Sequence, residues 1–129
     1  MSNTIETASL TTSEVAIDGS EITLHMTQVD GRSASLRLPF ACITQLIMTL
    51  PELQAKALRM RYRDPTLRVV YPVGPWTLEA SDDPGQLILT LSTADGFKAA
   101  FAIAAHEITR IGDAAAQVMG EARADVSSH

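Results

Sequence analysis

The chain has 129 residues, 46% hydrophobic and 19% charged, which suits one folded domain and is too short for two ordinary ones. Few aromatic residues and a net charge of −5 argue against base-stacking platforms and generic nucleic-acid coating, and no apolar run approaches the roughly 20 residues that span a bilayer. The lone cysteine, Cys42, excludes an intrachain disulfide and any zinc site needing two thiolates; with an N-terminus that has neither a basic residue nor an apolar core, the expected compartment is the cytoplasm.

In chain order, residues 1–13 are rich in Ser and Thr without clear periodicity and read as a loose tail. Val15 and Ile17 lead as a strand into Asp18-Gly19. Ile22, Leu24 and Met26 then alternate with polar residues, as do Ala34, Leu36 and Leu38. A two-residue Asp30-Gly31 turn would set Met26 opposite Ser35 and mix apolar with polar on one face. A three-residue loop, Val29-Asp30-Gly31, pairs Met26 with Ala34, Leu24 with Leu36 and Ile22 with Leu38, and all six side chains then share a face. A helix follows, with Phe40, Ile43, Leu46, Ile47 and Leu50 as its apolar stripe. Thr49-Leu50-Pro51-Glu52 reads as a fresh helix start, so a break near Pro51 is expected, with helix continuing to about Tyr62. Asp64-Pro65 ends it. Leu67, Val69 and Tyr71 suggest one more strand, stopped by Pro72 and Pro75.

Trp76, Leu78 and Ala80 form the next strand, before the Ser81–Gly85 turn. A second hairpin selects the same three-residue loop, Ala94-Asp95-Gly96, pairing Leu91 with Ala99, Leu89 with Phe101 and Leu87 with Ile103. Ala104, Ile108, Ile111, Ala115 and Val118 stripe a second helix, Gly120 fits its C-terminal cap, and residues 121–129 read as a tail.

The two halves are related. Residues 22–46 align without gaps on 87–111, and six of the 25 pairs are identical, including Asp30/Asp95 and Gly31/Gly96. The fold class expected is α+β: two βββα units, repeat 1 at about 14–50 and repeat 2 at about 76–120, joined by a connector at 51–75 within one domain. A half of about 50 residues is marginal for a core of its own. The economical arrangement is one mainly antiparallel sheet with helices packed on one face and a pseudo-twofold axis.

Reactive chemistry is sparse. No phosphate loop, dinucleotide fingerprint, nucleophile elbow, zinc-helix or calcium-loop motif occurs, and no cofactor or metal is implied. His25 falls on the polar face of the first sheet. His106 precedes Glu107 at a helix start, where neighbouring residues are not expected to face each other. His129 is terminal. Cys42 lies in a helix first turn, where a thiol is acidified, but a nucleophile also needs a positioned base.

Two features point to binding. On the second sheet's outer face Ile88, Thr90, Ala100 and Ala102 are small and fairly apolar, a face suited to self-association as a homodimer. Lys56, Arg59, Arg61, Arg63 and Arg68 stand against only Asp64, so residues 56–68 carry +4 and the rest of the chain −9. Such a segment suits an acidic protein partner, an anion or a nucleic-acid backbone; a solvated helix end is the simpler explanation. The chain therefore reads as a non-catalytic protein-interaction or small-ligand-binding module. The alternatives are an anion or nucleic-acid binder through 56–68, and a small enzyme pairing Cys42 with His25 or His106.

Overall fold

A computed structural model describes residues 3–127, with side-chain environments through residue 123. The chain divides into two units, Met1–Val69 and Val70–His129, each with its own sheet and helix. The first holds β1 (Thr7–Val15), β2 (Glu21–Gln28), β3 (Ser33–Pro39) and α1 (Phe40–Tyr62). The second holds β4 (Trp76–Ala80), β5 (Gln86–Ser92), β6 (Lys98–Ala104) and α2 (Ala105–Ser127). The class is α+β with βββα used twice.

Both hairpins adopt the register that their apolar alternation demands. Met26 faces Ala34, Leu24 faces Leu36 and Ile22 faces Leu38. Leu91 faces Ala99, Leu89 faces Phe101 and Leu87 faces Ile103. The last loop residue must be left-handed to close this turn, and Gly31 and Gly96 sit at φ 88° and 102°.

The repeat reaches further than residue identity shows. Adding 65 to the bounds of β3 and α1 gives those of β6 and α2. Single hydrogen bonds recur at the same offset. Gln28 N–H donates to the Arg32 carbonyl as Thr93 N–H does to Phe97, and Phe40 N–H donates to Ser20 as Ala105 N–H does to Gly85. The last two join each helix start to the opening of its own hairpin.

Several local expectations are corrected. Pairing is antiparallel throughout, but in two three-stranded sheets, β1-β2-β3 and β4-β5-β6, where one shared sheet was expected. Chain-consecutive strands are already neighbours across short loops, so each sheet is complete without a crossover. β1 occupies residues read as a tail: its Ser and Thr side chains are exposed, while Leu10, Ser13 and Val15 align with Met26, Leu24 and Ile22. α1 runs unbroken through Pro51, and Thr49 does not cap a new helix, because its hydroxyl donates to the Gln45 carbonyl at 2.6 Å. Arg63, at φ 53°, ends α1; its N–H and that of Asp64 reach the carbonyls of Met60 and Arg59. Residues 67–71 form no strand; the nearby Pro65, Pro72 and Pro75 cannot donate to a ladder. α2 passes through Gly120, which therefore is no cap.

Little of this chain is buried. Met26 and Leu38, at 8% and 7% exposure, are the buried hydrophobic residues among those described, and α1 has no buried residue. Ile47 and Met48 on that helix are 62% and 74% exposed. The accessible surface is 10932 Å². By the scaling of surface with mass, two compact globules of these sizes, even without mutual contact, expose about 8,000 Å² together. The surplus of about 2,900 Å² reflects thin packing inside the units, and Ile47, Met48, Trp76 and Val118 are among the large hydrophobic side chains left exposed.

Candidate interaction site

The outer-face residues of the second sheet form one patch. Ile88 lies opposite Ala102, and Thr90 opposite Ala100. Thr93 N–H donates to Phe97 and Ala105 N–H to Gly85, which fixes the phase of the β5–β6 ladder from both ends. The odd-numbered pairs exchange hydrogen bonds. The pairs 88/102 and 90/100 are the wide ones, where side chains approach most closely. Ile88 and Thr90 are half-buried, and Ala100 and Ala102 exposed. The other face of this sheet carries Trp76, Leu78, Leu87, Leu89, Leu91, Phe101 and Ile103, in register across three strands.

At the turn end of that second face lies a cavity of about 230 Å³, lined mainly by Tyr71, Val73, Leu91, Phe97, Ala99 and Phe101. Tyr71 and Phe97 stack with ring centroids 5.5 Å apart. Small-molecule sites usually span about 300–1,000 Å³, so the volume suits one apolar side chain better than a cofactor. Sequence reading missed this cavity because it placed Tyr71 in a strand, where its ring would have alternated with the ladder.

The basic residues are on the last turns of α1 and just beyond. No ion pair among the described residues involves Lys56, Arg59, Arg61, Arg63 or Arg68, whereas Arg32, Arg37 and Arg110 each meet a carboxylate. Arg61 instead lies over the Tyr62 ring, 5.7 Å from its centroid. The one acid of the segment, Asp64, is engaged locally: the hydroxyl and N–H of Thr66 donate to it and hold its carboxyl below the ordinary value. Asp18 is lowered in the same way by Ser20.

His25 and His106 are committed elsewhere. His25 Nδ1 lies 2.8 Å from Ser35 Oγ and Nε2 2.9 Å from Glu14 Oε1, forming a row across β1, β2 and β3. A carboxylate, imidazole and hydroxyl in series resemble an activated nucleophile, but catalysis also needs oxyanion donors and shelter from water. His25 is one-third exposed and Glu14 more than two-thirds, so the row serves as a cross-strand tie. It was legible only once the register was known, since Ser35 stands opposite His25. Both ring nitrogens of His25 are thus engaged without Cys42, which is a free, half-buried thiol. His106 does meet Glu107, with Nε2 and Oε1 3.4 Å apart, contrary to the expectation for adjacent helix residues. Both are at the first turn, where side chains have more freedom than inside a helix. His129 lies outside the described residues.

No cluster of three or more metal-ligating side chains occurs among the described residues. No helix among them is long and apolar enough to cross a membrane. Comparison with protein families, with curated proteins and with solved structures finds no match to this chain.

Proposed function

We propose that this chain is a non-catalytic interaction module of the cytoplasm that works as a homodimer. The observation that carries this reading is the uncovered apolar surface. An obligate homodimer takes about 1,000–2,500 Å² from each protomer, and the surplus of about 2,900 Å² per chain is at that scale. The Ile88, Thr90, Ala100, Ala102 patch is part of that surface, and a free thiol at Cys42 fits a reducing compartment. Light scattering on the eluting protein tests it: the expected mass is twice 13.9 kDa. A strictly monomeric species at high concentration refutes it.

A second reading rests on the unpaired cations. The segment containing Lys56, Arg59, Arg61, Arg63 and Arg68 offers charge that no carboxylate among the described residues neutralises, so it suits an acidic protein partner or an anionic ligand, including a nucleic-acid backbone. Salt-dependent binding to a polyanion, lost when Arg59, Arg61, Arg63 and Arg68 become Glu, is the expected result. Lack of binding at low salt disposes of it.

A further inference from the structure

We infer that β6 continues its sheet into β6 of a second copy, antiparallel about a twofold axis at Phe101. The inference rests on the homodimer reading and adds to its apolar faces a backbone contact at one sheet edge. It starts from the free backbone of the edge. In the β5–β6 ladder the odd residues Ala99, Phe101 and Ile103 point N–H and C=O at β5. The even residues Lys98, Ala100 and Ala102 therefore aim theirs away, and β5 is the sole hydrogen-bonded neighbour of β6 among the described strands. Such a row is a template for another strand unless something blocks it.

The other edges are guarded. β1 has two register irregularities, between Thr7 and Ser9 and between Leu10 and Thr12. β4 has five residues, one of them Glu79, and follows Pro75. β3 has the same fold position as β6, yet its outward residues at the matching sites are Ser35, Arg37 and Pro39, a charge and a missing N–H. β6 has Ala100, Ala102 and Ala104 there, an unbroken register and no proline, and its one charge, Lys98, is at the turn end of the strand. Two strands of one topology in one chain thus differ in whether their edge is closed.

The register follows from the phase. Antiparallel self-pairing about Phe101 sets Ala100 opposite Ala102 of the second copy, and the reverse. These even residues exchange both bonds of each pair, four in all. Phe101, 53% exposed, meets its own counterpart at a wide position, where side chains come closest. Lys98 falls opposite Ala104, so no like charges meet. The outcome is a six-stranded sheet, β4-β5-β6 continued by its symmetry mate, with both outer patches contiguous. The occupant is a second copy because this symmetric contact closes.

Two measurements test this on the full chain. In a Cys42→Ser background, Phe101→Cys is expected to form a disulfide-linked dimer on mild oxidation at least roughly tenfold faster than Ala99→Cys, whose counterpart is displaced along the strand. The double substitution Ala102→Arg with Ala104→Pro transfers the guarded edge of β3 to β6, and is expected to yield a folded monomer by circular dichroism and light scattering. If the wild type is dimeric while the double variant stays dimeric or Phe101→Cys links no faster than Ala99→Cys, the edge contact is wrong and the homodimer reading survives. Open polymers from the wild type overturn the closed contact, and a monomeric wild type overturns both.

Discussion

Replacing Gly31 or Gly96 by alanine isolates the conformational term in the hairpin turns. At both positions an added Cβ would meet nothing within 4 Å, so no clash contributes. Their φ values of 88° and 102° leave a side chain in left-handed backbone, costing about 1–2 kcal/mol. Alanine also restricts the unfolded chain, which returns about 0.4–1 kcal/mol. The expected net loss is about 1 kcal/mol at each site, and no smaller at Gly96, whose φ is further from the left-handed minimum near 57°. With an unfolding entropy of about 2.1 cal/mol/K per residue, that lowers Tm by about 4 °C if 129 residues unfold together, and about 7 °C if a unit unfolds alone. Asparagine tolerates this backbone and should lose less than alanine. Denaturant titration of all four variants, with Tm by calorimetry, is the assay. A neutral or stabilising Gly→Ala, or asparagine no better than alanine, would refute the turn assignment.

Three further outcomes are expected. Pro51→Ala restores a missing donor inside α1 and should stabilise it by up to about 3 kcal/mol; an unchanged denaturation midpoint counts against an unbroken helix. Leu38→Ala empties half of the small buried set and should cost about 2–5 kcal/mol by the same titration, a loss below 1 kcal/mol showing that the site is not buried. Folding lowers the Asp64 carboxyl below 3.8, so its contribution is present above that pH and lost as the pH falls through the lowered value. Thr66→Val removes the largest cause and should return the carboxyl toward 3.8 in an NMR titration, whereas an unmoved titration rejects the hydroxyl as that cause.

What the sequence disclosed followed from period and turn chemistry. Alternation at Ile22–Met26 and Ala34–Leu38 admits one face assignment, and only a three-residue loop satisfies it, so register was legible to the residue. The same logic failed for β1, whose Ser and Thr leave no apolar period to read although their backbones pair with β2. It failed at Pro51 because local capping signals compete with propagation of an existing helix, and propagation prevailed. The Glu14–His25–Ser35 row and the Tyr71–Phe97 cavity were hidden because each joins segments that only the register or an irregular loop brings together. The basic segment was visible as charge, but that none of its cations is ion-paired among the described residues is a property of the fold.

The two copies hold their backbone in common and differ in what they present outward. At a spacing of 65, Lys56, Arg59 and Arg61 of the first copy correspond to Glu121, Ala124 and Val126, and Arg37 and Pro39 correspond to Ala102 and Ala104. Neither set of differences is needed to build a βββα unit, because both copies build it. An edge guarded in one copy and bare in the other is a liability for an isolated chain, since bare edges recruit strands indiscriminately. It ceases to be one when a defined strand covers it, and the symmetric β6 contact supplies such a strand. If both proposals hold, the duplication separates two tasks: the second copy would join chains, and the first would offer its cationic helix end to an acidic partner.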